Sequence, residues 1–334
     1  MTRPRPDPRR RQLLGAVPAL GAIGLWAMPL AGAAQAVFPQ RPITLVVPFG
    51  PGGVADITAR TVGQAMAASL GQSVVIDNKP GAGGIVATQA VLSAPADGHT
   101  LLMMSNATAV SVHLVKKLPF DVVKDLAPIS TLGTFELGLA VAQDSRFKTL
   151  QDVLAHARAN PGKLTIGTIA VGSTQHLSAE LFKSRAGIDA VVVPYKGSPA
   201  VINALRTGEI DLAFEILSPL LPQISARTIR ALAVTGPQRF SLLPEVPTVV
   251  EQGIAHYTVD SWNALAAPAG TPPAVIERIR RAAQEALSQP AVRDKLRDLG
   301  VKAQASTPAE QAALLAREIR HWGEVVKAAK IEAE

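Results

Sequence analysis

Ile43-Thr44-Leu45-Val46-Val47 is a short, nearly continuous apolar run, and Pro48-Phe49-Gly50-Pro51-Gly52-Gly53 stops it. A strand apolar on both sides belongs inside a parallel sheet, where helices cover both faces. Val54, Ile57, Val62, Met66 and Leu70 then return at helical spacing, and Ser73-Val74-Val75-Ile76 forms the next strand. Residues 43–76 therefore read as one β-loop-α-β unit, which sets the class as α/β.

The same alternation continues outward. A glycine-rich turn at Gly81–Gly84 leads into a helix ending near Ser93, and Thr100–Met104 is a strand. Leu126–Leu132 and Leu137–Ala142 read as two further strands. Leu150–Ala159 is a helix closed by Asn160-Pro161-Gly162. Leu164–Gly167, Val191–Pro194, Asp211–Phe214 and Ile229–Thr235 are strands, with helices at Ser173–Arg185 and Ala200–Thr207. After Trp262 the spacing predicts three amphipathic helices, Pro272–Leu287, Ala291–Leu299 and Pro308–Lys327, with little strand between them. Such a helical tail is expected to fold back onto the first half.

The chain has 334 residues, enough for two domains, and 48% are hydrophobic. Aromatics are 4%, which weighs against aromatic-lined sugar sites and base-stacking nucleic-acid sites. The absence of cysteine excludes disulfides, thiolate metal sites and cysteine nucleophiles. Net charge is +7, but Arg3, Arg5, Arg9, Arg10 and Arg11 against Asp7 place +4 of it in residues 1–36, leaving +3 for the rest. That balance tolerates anions without marking a nucleic-acid binder.

Residues 1–36 read as an export signal. A basic segment, Arg9-Arg10-Arg11, precedes an apolar stretch from Leu13 to about Ala31, and Ala34-Gln35-Ala36 offers small residues for cleavage near Ala36. Arg10-Arg11-Gln12-Leu13-Leu14 fits a twin-arginine signal, and an ordinary Sec signal fits equally. The mature chain is expected to be periplasmic, with no stable membrane insertion after signal removal.

Two loops can hold an anion. Pro48–Gly53 joins a buried strand to a helix, so glycine lets the backbone approach a ligand while the first helical N–H groups stay unpaired. A tight βα turn explains the same glycines. Gly167-Thr168-Ile169-Ala170-Val171-Gly172-Ser173-Thr174-Gln175-His176 repeats the design, with Ser173 placed to cap its helix. The Pro48–Gly53 loop is not followed by Gly-Lys-Ser/Thr, and in the separate turn Gly81–Val86 a valine, Val86, stands where the third glycine of a dinucleotide fingerprint belongs. His176 and Glu180 lack the zincin pattern, so His176 is assigned a surface or capping role and no metal site is expected. Asp56, Glu215 and Asp260 show no spacing that favours acid–base work, and no Gly-x-Ser-x-Gly elbow occurs. No catalytic residue and no cofactor are expected.

An ordered set of motifs spans nearly the whole mature chain. It includes Pro42–Gly53 with Asp56, Asp77-Asn78-Lys79-Pro80-Gly81-Ala82-Gly83-Gly84, and Ala96-Asp97-Gly98-His99-Thr100-Leu101-Leu102. Then come Gly172–Leu177, Val193-Pro194-Tyr195-Lys196-Gly197, Leu232-Ala233-Val234-Thr235, Leu243–Thr248 and Trp262–Pro272. In this set the chain resembles the periplasmic substrate-binding proteins of tripartite tricarboxylate transporters, the Bug-type receptors. The resemblance implies a two-lobed type II periplasmic-binding-protein fold with a ligand cleft between the lobes. Lobe 1 would be discontinuous, residues 37–138 and 259–334, and lobe 2 residues 139–258.

The resemblance also implies a small carboxylate as ligand, held largely by backbone amides of both loops and bridging water, with integral-membrane transporter subunits as partners. Carried over by motif, the site residues are Phe49, Gly52, Gly53, Asp56, Ser173, Thr174 and Tyr195, with Ser105 and Asn106 as further contacts at a strand end. Asp56 is expected to fix its loop, since its charge would repel an anion. A receptor that presents ligand to a two-component sensor, or an exported hydrolase, are the alternative readings. Two departures from the family pattern stand out: Ser225-Ala226-Arg227-Thr228-Ile229-Arg230 replaces a usual glycine-lysine turn, and Thr168–Val171 is poor in glycine.

Overall fold

The computed structural model describes residues 38–333. The expected export signal lies outside the described residues. β1 (Ile43–Val47) sits between β2 (Val74–Asn78) and β3 (Thr100–Ser105), parallel to both. It is buried on both faces, as its composition predicts. Ile43, Leu45 and Val47 pack with Val62 and Met66 of α1 (Val54–Leu70), whereas Val46 packs with Ala87 and Val91 of α2 (Ile85–Leu92). Each such buried aliphatic side chain contributes about 1.5–3 kcal/mol. α1 ends where Gly71 adopts φ +71°, a left-handed turn that lets its N–H reach the Ala67 carbonyl.

A second unit repeats the plan. β5 (Leu164–Ile169) lies between β6 (Ala190–Tyr195) and β7 (Leu212–Ile216), parallel to both. Around it stand α4 (Leu150–Ala159), α5 (Thr174–Ala186), α6 (Ser198–Arg206), α7 (Leu217–Ser225) and β8 (Ile229–Val234). The remaining elements are α3 (Asn106–Leu114), β9 (Asp260–Pro268), α8 (Pro273–Ser288), α9 (Pro290–Asp298), β10 (Val301–Ala303) and α10 (Pro308–Ala328). α8 and α9 pack on α1, and α10 packs on α3, so the C-terminal helices return to the first unit. Thr307 and Glu310 cap α10 reciprocally, the box that the Ser306-Thr307-Pro308 start implies.

One strand joins the two units. β4 (Leu126–Ala142) is 17 residues long. Leu126 to Glu136 pair with β9, and Leu137 to Ala140 pair with β7. β10 pairs with it at Gly133 to Phe135, and β8 at Gly138 to Ala142.

Three expectations need correction. Leu126–Leu132 and Leu137–Ala142 are parts of this single strand; Gly133 and Gly138 inside it are accommodated because Val301 and Leu217 fill the space their side chains would occupy. Asp260–Pro268 is a strand buried along most of its length, hidden in the sequence because it is alanine-rich and alanine carries little β propensity. α3 and α7 escaped notice because both are only nine residues long, and α7 contains Pro222.

Candidate functional site

The Pro48–Gly53 loop leads directly into α1, whose N-cap is Gly53 and has no side-chain cap. The Val54 and Ala55 amides therefore have no intrahelical partner. Gly52 sits at φ +85°, a conformation that favours glycine. Its N–H donates to Asp56 Oδ2 at 2.9 Å. Asp56 is buried and also accepts from Arg60 Nε at 3.0 Å and Asn78 Nδ2 at 2.9 Å, while the same Asn78 nitrogen donates to the Phe49 carbonyl at 2.9 Å. Burial pushes the Asp56 carboxyl up, but Arg60, the Gly52 amide and Asn78 outweigh it and hold the group below the ordinary carboxylate value. Asp56 thus fastens the loop from behind.

The second loop follows β5. Ser173 caps α5: its Oγ accepts from the His176 N–H at 3.1 Å and donates to the Ile169 carbonyl at 3.3 Å. Gly172 stands at φ +78° against Leu114. His176 is buried, so of the surface and capping roles expected for it the surface one falls away; its Nδ1 lies 3.5 Å from the Gly172 nitrogen at the start of α5, and burial lowers its pKa. A His ring under the loop supports the turn that presents Ser173.

Both loops open on one cavity of about 580 Å³. Phe49, Gly52, Gly53, Ser105, Ser173 and Thr174 all line it. Three other expected residues lie outside the lining. Asp56 is behind its loop. Asn106 is wholly buried, its Nδ2 donating to the Asp260 carbonyl at 3.2 Å. Tyr195 ends β6 with its hydroxyl donating to Glu209 at 2.8 Å.

The cavity also has walls that the motifs did not identify. Gly197, Ser198 and Pro199 bring the uncapped start of α6, and Ile216, Ser218 and Pro219 bring the start of α7. Ser105 caps α3 at a third position. Five helix N-termini, those of α1, α3, α5, α6 and α7, therefore meet one space. Their free amides and aligned dipoles make it positive in potential with few formal charges. Lys196 is the one charged residue in the lining. Gly197-Ser198-Pro199 carried a readable signal, proline in a helical first turn. Ser261 and Asn263 on β9 carried none.

Glu215 and Asp260, the other carboxylates considered, are not in this lining. Glu215 is fully buried behind Gln175, accepting from Gln175 Nε2 at 2.6 Å and from the Ile216 N–H at 2.8 Å, and burial raises its pKa. Asp260 lies on the opposite face of β9, against a second cavity. Among the described residues no group of three or more His, Cys, Asp or Glu side chains is arranged to hold a metal ion. Among them, too, no helix is long and apolar enough to cross a membrane.

Comparison with known proteins agrees with this geometry. The family model for the tripartite tricarboxylate transporter family receptor matches residues 58–331. Protein BugT of Bordetella pertussis (strain Tohama I) is 36% identical over 315 residues, spanning 92% of this chain and 96% of that protein. Two solved structures superimpose closely. An R. palustris protein with adipate gives a TM-score of 0.82 at 33% identity, covering 89% of this chain and 100% of that one. The periplasmic binding protein BugD gives 0.80 at 27% identity, with the same coverages. The joined α/β units are thus the two-lobed fold of periplasmic binding proteins, and the chain belongs to the tripartite tricarboxylate transporter receptor family.

Proposed function

We propose that the mature chain captures a small carboxylate between its two lobes, closes on it, and delivers it to the integral-membrane subunits of a tripartite tricarboxylate-type transporter. In this reading lobe 1 is residues 37–138 and 259–334, lobe 2 is residues 139–258, and cleavage near Ala36 releases the chain into the periplasm. Phe49, Gly52, Gly53, Ser105, Ser173 and Thr174 contact the ligand, and Asp56 holds the first loop in place.

The observation that carries the proposal is the convergence of helix N-termini from both units on one cavity whose lining contains Lys196 and no acidic residue. A carboxylate spanning the cavity would accept from amides on both sides, so its binding energy would favour the closed state. The adipate recorded with the R. palustris relative is a ligand of this chemistry. The cavity lining holds no nucleophile–base pair, and buried Glu215 is shielded by Gln175, so binding without catalysis is the reading that fits.

The test is titration calorimetry of the mature protein against mono-, di- and tricarboxylates of two to eight carbons. Binding of one class with Ser173→Ala weakening it is the expected result. Heat from none of them would overturn the proposal.

A further inference from the structure

Asn263 Oδ1, on a residue of the cavity lining, is buried without a hydrogen-bond donor, and so is Asn106 Oδ1 behind the lining. Asn263 is 1% exposed, lines the cavity, and sits on β9 directly across from Ser105. Its orientation is fixed by chemistry. Nδ2 donates to the Trp262 carbonyl at 3.1 Å, and turning the amide over would set two oxygens against each other. Asn106 is pinned the same way by the Asp260 carbonyl. Gln175 adds an amide to the lining, with one of its N–H groups donating to Glu215 at 2.6 Å.

A cavity made positive by helix starts thus carries an unpaired acceptor in Asn263 Oδ1. A plain carboxylate satisfies the amides and leaves this oxygen unpaired. An unpaired buried acceptor is costly, so a ligand that brings a donor is favoured. The donor can be a hydroxyl or an ammonium. No carboxylate side chain lines the cavity to balance an ammonium, and Lys196 would repel one. We propose that Asn263 is a specificity-determining residue and that the substrate class is a hydroxycarboxylate whose hydroxyl donates to its Oδ1. This inference rests on the carboxylate-binding reading above and narrows it.

The experiment is calorimetry of the mature protein with matched pairs, succinate against malate and glutarate against 2-hydroxyglutarate, with aspartate and glutamate as ammonium controls. The hydroxylated member should bind about tenfold or more tightly than its plain partner. Asn263→Leu should shrink the ratio of affinities within each pair to about one. Equal binding within each pair in the wild-type protein would mean that water alone satisfies Asn263, and would overturn this inference while leaving carboxylate capture intact. Tighter binding of the amino acids would also overturn it. No binding by any member, or by the wider panel, would overturn both readings together.

Discussion

Glu136 on β4 stands directly across from Asp260 on β9, the last cross-strand pair before β4 leaves β9 and takes β7 as its partner at Leu137. Strand alternation divides the neighbours. Leu137, Ser261 and Asn263 face the ligand cavity, while Glu136, Asp260 and Trp262 face a second cavity of about 540 Å³ behind it. The point where the two units join therefore carries two carboxylates on its rear face. Lys302 of β10 and Glu310 and Arg317 of α10 line the same space, and Glu318 of α10 is a further acidic side chain near Asp260.

Burial, then the charge of Asp260, pushes the Glu136 carboxyl up to about 7, with Lys302 and the Gly236 amide opposing. The folded state holds this proton more tightly than an unfolded chain, in which the group titrates near 4.5. The stability it contributes is complete below that value and is lost as pH rises through about 7. Glu136→Gln should flatten the fall in melting temperature between pH 5 and 8. An unchanged slope in the variant would assign the pH dependence to another group.

Asp56 has the opposite sign. Its folded pKa lies below the ordinary 3.8, so its contribution is present above that pH and disappears as pH falls through the lowered value. Asp56→Ala removes the acceptor of the Gly52 amide and one partner of Arg60 and Asn78. The cost should be about 1.5–3 kcal/mol in denaturant unfolding. Carboxylate affinity should fall as well, because the loop loses its rear anchor. A variant with normal affinity would show that the loop holds its shape without Asp56.

The second loop allows a paired comparison. Ser173→Ala removes the α5 cap and should cost about 1 kcal/mol. Gly172→Ala places a Cβ 2.5 Å from Leu114 at φ +78°, and should cost about 1–2 kcal/mol from backbone strain alone. Both should weaken carboxylate binding, read by calorimetry. Gly208→Ala, also at positive φ but with open space and outside the cavity lining, should lose stability without losing affinity.

Arg227 stands at φ +55° in the turn before β8, a left-handed conformation that favours glycine. Arg227→Gly should therefore stabilise the protein by about 1 kcal/mol, seen as a higher melting temperature with unchanged ligand affinity. A lower melting temperature would mean that the longer chain contributes contacts that outweigh the strain.

The sequence by itself determined the parallel units and the two glycine-bearing loops that open on the cavity. The apolar run at Ile43–Val47 calls for burial on both faces, and Gly53 and Ser173 mark helix starts with local, readable chemistry. Asp56 acts within four residues of Gly52, so its role was legible too. Tertiary structure alone decided the rest. Local periodicity states which face of an element is buried but not which distant element covers it. Asn263 meets Ser105 across 158 positions of chain, and Glu136 meets Asp260 across 124. The starts of α6 and α7 reach the cavity only because parallel strands end on the same edge of the sheet. The unpaired oxygen of Asn263 and the raised carboxyl of Glu136 exist only once those separations are closed and water is excluded.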